Sequence, residues 1–216
     1  MIDRRVFYAL ENFLDSVYFE SQQEMYELTE SDNFGKARIF LNVGSKDNIC
    51  VRNYDDTPLW DILRKEKNIL RKRIDHFILR KNADIWELHM IEMKKTVNAN
   101  VWQSIKTQMS GSYLTIKALL TFLGISIQDE NIFVYTAYGE DKMTANDSKA
   151  EGVTTGIFKT GERIINPKYE EWDAGFIHIP IIDSKGNIHS KKFRHIKIKM
   201  TVAGDGVLER NFNLPI

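Results

Sequence analysis

The chain has 216 residues, enough for one domain with a sizeable core, and its 43% hydrophobic content excludes wholesale disorder. Thirty Lys and Arg balance thirty Asp and Glu, which excludes any argument from a basic isoelectric point; a nucleic-acid ligand would have to be held by a local patch. Cys50 is the only cysteine, so an intrachain disulfide is excluded.

No run of about eighteen apolar residues offers a membrane span. The stretch after Met1 has no unbroken apolar segment either, so the chain is expected to be soluble and cytoplasmic. From Asp3 to Leu28 apolar residues recur at helical spacing (Val6, Leu10, Phe13 or Leu14, Val17). This predicts a long amphipathic helix that loses its pattern around Thr29–Gly35. Ala37–Val43 and Asn48–Tyr54 are short β-rich runs across a turn-forming linker, which predicts a hairpin. Thr57-Pro58 predicts a helix entry, and the helix to about residue 71 has one strongly basic face.

Two more runs, RIDHFILR and IWELHMIEMKK, flank the polar turn at residues 81–84 and predict two strands. Apolar spacing from Asn100 to Leu123 predicts a second long helix, ended by Gly124, with Gly111 as a site for a kink. Asn131–Tyr138 predicts a strand. Residues 139–172 are rich in Gly, Thr, Ser, Lys and Asp, and are expected to form an inserted loop or flap. Phe176–Ile182 and Phe193–Val202 complete the chain as strands around a Gly186-Asn187 turn.

Residues 73–95 carry the chemistry. Asp75 falls near the start of one predicted strand, Glu92 and Lys94 near the end of the next. Period-two geometry puts Glu92 and Lys94 on one face of their strand and points Met93 the other way. In an antiparallel pair the start of the first strand lies beside the end of the second, which brings Asp75 to Glu92. Two converging carboxylates are costly unless a cation neutralises them. Such oxygens suit Mg²⁺ (or Mn²⁺), with the backbone carbonyl of Met93 as a further ligand and Lys94 to orient a water or neutralise developing charge.

These residues, Asp75 of R-I-D-H-F-I-L and Glu92-Met93-Lys94 of H-M-I-E-M-K, resemble the PD-(D/E)XK nuclease superfamily. The resemblance covers about residues 1–138. It implies an α/β (α+β) fold of restriction-endonuclease type, a central mixed sheet flanked by helices, here with an additional C-terminal β segment. It also implies Mg²⁺-dependent cleavage of nucleic acid, DNA favoured over RNA. On this reading residues 1–216 form one domain: a nuclease-like core (1–138), an insert (139–172) and C-terminal strands (173–216). A family glutamate on the first helix helps hold metal, and Glu11, Glu20 and Glu24 all qualify. Ile74 stands where many members have proline before the aspartate. Gln108 and Tyr113 are one residue too far apart for the Gln-x-x-x-Tyr element of some members, and Gln103, nearer the helix start, is an alternative.

Basic residues are candidates for phosphate contacts: Lys72 and Arg73 with the basic stretch before Asp75, and Lys191, Lys192 and Arg194 near the end. Each group also fits a solvated face or a lysine-guarded edge strand. An acid two residues before a lysine recurs at Glu140/Lys142, Asp147/Lys149 and Asp183/Lys185, so the triplet alone has little weight; its strand context sets residues 92–94 apart. His76 and His89 fall on the strand faces opposite the catalytic trio and are expected in the core. The four tryptophans are expected as core anchors, with Trp172, beside the insert, the best exception for base stacking. Cutting both strands of a duplex takes two sites, so a homodimer is part of the nuclease reading. The rival reading is a non-catalytic nucleic-acid-binding or protein-interaction domain sharing the fold.

Overall fold

The computed structural model describes residues 6, 18–32, 35–45, 47–57, 69–143, 167–182 and 187–215. It is a mixed α+β structure with two mixed sheets and few helices. The strands are β1 (Phe19–Ser21), β2 (Met25–Asp32), β3 (Gly35–Asn42), β4 (Asn48–Val51), β5 (His76–Asn82) and β6 (Ile85–Val97), then β7 (Ile132–Asp141), β8 (Phe176–Ile182), β9 (Ile188–Lys199), β10 (Thr201–Val202) and β11 (Leu208–Asn213). Two α-helices lie wholly within the described residues, α1 (Ala99–Phe122) and α2 (Pro167–Asp173).

A seven-stranded sheet has the order β1-β4-β5-β6-β7-β9-β8, and a four-stranded sheet the order β10-β11-β3-β2. In the larger sheet β5 and β6 form a tight antiparallel hairpin, whereas β6, β7 and β9 run parallel. Helix α1 provides the crossover between β6 and β7, which a parallel pair requires. Its first turn is capped by the Asn98 side chain, which accepts from the N–H groups of Asn100 and Val101 at 3.0 Å each. Gly124, at φ 72°, terminates it in a left-handed conformation that glycine adopts without strain.

Both faces of the large sheet are covered. Phe77, Leu79, Leu88 and Met90 pack with Trp102, Ile105, Met109 and Ile116 of α1. On the other face Ile78, Ile91, Met93 and Tyr135 pack with Leu28, Ile39 and Leu41 of the smaller sheet. This double burial explains the nearly continuous apolar runs of β5, β6 and β7.

Several sequence expectations give way here. Phe19–Ser21 and Met25–Asp32 are strands, not the end of a long helix. Tyr26 and Leu28 are buried while Met25 and Glu27 are exposed, the period of a strand. The runs around 37–43 and 48–54 are β3 and β4, but they do not form a hairpin, because each pairs in a different sheet. Residue 139 does not begin a loop, since β7 continues to Asp141. At its other end the expected insert closes with α2, where Trp172 is 1% exposed, packed edge-on against Trp102, and is core rather than a stacking platform. Most of that insert (144–166), residues 58–68 of the basic helix expected to run to about residue 71, and residues 1–5 and 7–17 lie outside the described residues. Helix α1 runs through Gly111 without a break, and β11 is a strand that sequence reasoning missed.

Candidate active site

Strand β5 begins at His76, which pairs with Ile91 of β6. One step further along that antiparallel register, Asp75 comes beside Glu92. The Asp75 carboxylate oxygen Oδ2 accepts the backbone N–H of Met93 at 2.6 Å. Glu92 is fully buried and Asp75 nearly so, and the Lys94 ammonium forms an ion pair with Glu92 Oε1. Lys94 is the solvent-facing member, its side chain 29% exposed.

The electrostatics of the three groups interlock. Burial pushes the Glu92 carboxyl up to about 7, against the easing effect of Lys94. Burial and the neighbouring Glu92 charge hold Asp75 well above the usual carboxylate range. Burial pulls Lys94 down, but the Glu92 and Asp75 charges outweigh it, so the ammonium is held on the lysine. Among the described residues, Glu92 Oε2 completes no hydrogen bond of good geometry. Two further carboxylates act on the trio from outside: Asp55 on Glu92, and Glu30 on Asp75 and Lys94.

The segment leading into Asp75 is braced by a polar stripe on α1. Gln108 Nε2 donates to the Arg73 carbonyl at 3.2 Å, and Ser112 Oγ accepts the Ile74 N–H at 2.8 Å. Thr115 Oγ1 accepts the Tyr54 hydroxyl at 2.7 Å, while the Tyr54 N–H donates to the Asp75 carbonyl at 2.7 Å. Gln108, Ser112 and Thr115 are spaced at i, i+4 and i+7, one face of a helix otherwise rich in apolar contacts. Gln108 also eases Glu92 ionisation. Gln103, by contrast, is exposed. The signal for Gln108 was present in the sequence as a polar stripe on a buried helix face.

Other sequence candidates are dispersed. Glu20 shares its sheet position with Cys50 and Ile78, on the face opposite Asp75, and ion-pairs with Arg52. Glu24 is exposed before β2, and Glu11 lies outside the described residues. Lys72 is exposed. Arg73 is 5% exposed and donates to the Asp55 carbonyl, with its Nε and Nη1 unpartnered among the described residues. Lys191 is occupied by Asp129 and the Tyr113 hydroxyl, Lys192 lies 4.1 Å over the Phe176 ring, and Arg194 is exposed. All three sit toward the start of the parallel strands, whereas Glu92 and Lys94 stand level with Lys197 and Lys199 through β7. Lys191, Lys192 and Arg194 thus stand away from the level of Glu92 and Lys94, a placement that depends on a strand register the sequence leaves open. His76 and His89 are fully buried on the opposite face: His76 Nδ1 accepts the Asn53 N–H, and His89 contacts Tyr135 and Glu87.

Among the described residues, no three His, Cys, Asp or Glu side chains form a group arranged to hold a metal ion. The pair of Asp75 and Glu92 nevertheless fits Mg²⁺, which binds through one or two carboxylates and keeps several waters. Both groups carry raised pKa values that a bound divalent cation relieves. Compared with protein-family models, with curated proteins and with solved structures, the chain gives no match.

Proposed function

We propose that the chain is a Mg²⁺-dependent nuclease of the PD-(D/E)XK type, built on a restriction-endonuclease-like core and acting on DNA in preference to RNA. The observation that carries this reading is the junction of three groups. Asp75 is held on the backbone of Met93, between Glu92 and Lys94, and Lys94 is paired with Glu92.

In hydrolysis a water oxygen attacks phosphorus, the opposite P–O bond breaks, and the leaving oxygen takes up a proton. Asp75 and Glu92 would hold the cation, with the Met93 carbonyl as a further oxygen. The cation, when bound, lowers the pKa of its water and offsets charge on the phosphoryl group. Lys94 acts as a fixed ammonium that donates to a phosphoryl oxygen as negative charge grows there, since its neighbours keep it protonated. The network from Gln108 and Ser112 to residues 73 and 74 fixes Asp75 against β6, which keeps the carboxylates in register.

The non-catalytic reading draws on one observation, the complete burial of the Glu92 carboxylate behind Lys94. Cleavage assays with Mg²⁺ on supercoiled plasmid, linear duplex, single-stranded DNA and RNA separate the two readings. Metal-dependent cutting that Glu92→Gln abolishes supports the nuclease. No cutting of any substrate, together with no Mg²⁺ binding in calorimetry, supports the binding domain.

A further inference from the structure

Arg73 is 5% exposed, and its one hydrogen bond among the described residues runs from Nη2 to the backbone carbonyl of Asp55. Nε and Nη1 carry buried N–H donors that reach no acceptor. The guanidinium carbon lies 5.5 Å over the Tyr54 ring, which offers an aromatic face and no counter-charge. A guanidinium does not shed its charge on burial as an ammonium can. Buried charges are ordinarily paired, and a buried donor without an acceptor is costly.

Lys94 is committed to Glu92. Arg73, by contrast, forms no ion pair among the described residues and feels the Asp55 carboxylate only at longer range. Three links tie it to the candidate site. It stands two residues before Asp75, its carbonyl accepts Gln108 Nε2 at 3.2 Å, and the Asp55 carboxylate acts on Glu92 as well as on Arg73.

The same neighbourhood holds acceptors in the converse condition. Glu92 Oε2 and Gln108 Oε1 are buried and complete no hydrogen bond among the described residues. These donors and acceptors do not bond one another, so the neighbourhood suits a group that the chain itself does not supply. On the donor side that group is an oxyanion, and planar guanidinium donors match phosphoryl oxygens.

We propose that Arg73 receives a phosphoryl group of the substrate strand beside Asp75 and Glu92, with its Nε and Nη1 N–H groups donating to the phosphoryl oxygens. The proposal rests on the nuclease reading for the strand that is cut, but not for the anion that is bound. One bond to a neutral carbonyl ties the guanidinium down, and Asp55 is only half-buried, so an incoming phosphate has a single tie to displace.

Calorimetry and thermal melting with inorganic phosphate, at constant ionic strength, test the binding in wild type, Arg73→Met, Arg73→Lys and Lys72→Met. Arg73→Met replaces an unpaired buried charge by an apolar chain. It is expected to melt no lower than wild type without phosphate, and to lose at least about ten-fold in phosphate affinity. Arg73→Lys keeps the charge without the planar donors and is expected to lose at least about three-fold. Lys72→Met, at an exposed neighbour, is expected to bind like wild type. A purely structural Arg73 gives a lower melting temperature with phosphate affinity unchanged, and that result overturns the proposal. No phosphate binding by wild type overturns it too. Should Arg73→Met fail to fold, equal phosphate affinity in wild type and Arg73→Lys does the same.

Cleavage separates the anion site from the nuclease reading. Arg73→Met is expected to cut DNA at least about ten-fold more slowly and to hold a DNA oligonucleotide more weakly in chelator. Cutting that depends on Glu92, with phosphate binding that ignores Arg73, removes the anion site and leaves the nuclease. No cutting of any substrate, with phosphate binding that follows Arg73, removes the nuclease and leaves the anion site. An oligonucleotide held equally by wild type and Arg73→Met, while inorganic phosphate follows Arg73, overturns the assignment to a substrate strand.

Discussion

The carboxylate of Asp75 is tied to the backbone N–H of Met93, the residue between Glu92 and Lys94, at 2.6 Å. This bond locks the entry of β5 to β6 and gives Asp75 a structural role beside the chemical one proposed for it. The two roles separate by substitution. Asp75→Asn keeps an oxygen for Met93 and is expected to fold with near wild-type stability while cutting at least about 10²-fold more slowly. Asp75→Ala leaves the buried N–H unpaired and is expected to lose about 1–3 kcal/mol as well. Urea denaturation beside a cleavage assay checks the pair; equal cleavage by Asp75→Asn and wild type contradicts the chemical role.

Protonation gives a second test. In the metal-free protein the Glu92 carboxyl sits at about 7, against an ordinary 4.5. Between those values the folded state keeps a proton that the unfolded state has lost, so stability falls as pH rises through this window. Asp75 shifts in the same direction. His76 and His195 act oppositely: burial lowers both from 6.5 to about 3, so they withdraw stability as pH falls below 6.5. Glu92→Gln removes the Glu92 slope and, with the charge that helps hold Asp75 up, part of the Asp75 slope of the same sign, and leaves the opposite histidine slope. Its stability advantage over wild type in chelator is expected to grow from about pH 5 to pH 7, and an advantage that stays constant contradicts the raised pKa.

The polar stripe of α1 makes a third prediction. Gln108→Leu removes the bond to the Arg73 carbonyl and the side-chain amide near Glu92, and is expected to slow cleavage at least about ten-fold. Gln103→Leu, at an exposed position of the same helix, is expected to cut like wild type. Ser112→Ala strands the buried Ile74 N–H and is expected to cost about 1–3 kcal/mol. Steady-state cleavage rates and thermal melts of the three variants provide the check.

Trp172 marks the difference between core and ligand contact. It is buried against Trp102 at a ring separation of 5.2 Å and donates its indole N–H to Asp141 at 3.0 Å. Trp172→Ala is expected to destabilise the fold by about 3–5 kcal/mol. Trp172→Phe is expected to retain oligonucleotide affinity, measured by fluorescence anisotropy. A selective loss of affinity without loss of stability contradicts the core assignment.

What the sequence made legible was local. The β5–β6 hairpin shows in two apolar runs around a polar turn, and Asp75, Glu92 and Lys94 stand out as charges at their ends. Helix α1 shows in its period and in Gly124. Long-range pairing was not legible. Strand β3 joins β11, about 170 residues later, and nothing in the polar stretch Leu208–Asn213 signals that partner. The hairpin expected between β3 and β4 failed for that reason, since adjacency in sequence does not decide which sheet a strand enters. Met25–Asp32 was misread because the helical spacing before it was carried past the point where Tyr26 and Leu28 begin to alternate.

The central claim is tested most directly by cleavage of a mixed panel of plasmid, duplex and single-stranded DNA by wild type, Glu92→Gln and Lys94→Ala, with Mg²⁺ and with chelator. The expected result is cutting by wild type that requires Mg²⁺ and falls by at least about 10²-fold in both variants. Cutting that persists in Glu92→Gln, or that proceeds equally in chelator, would contradict the assignment of Asp75, Glu92 and Lys94 as a metal-dependent phosphodiesterase site.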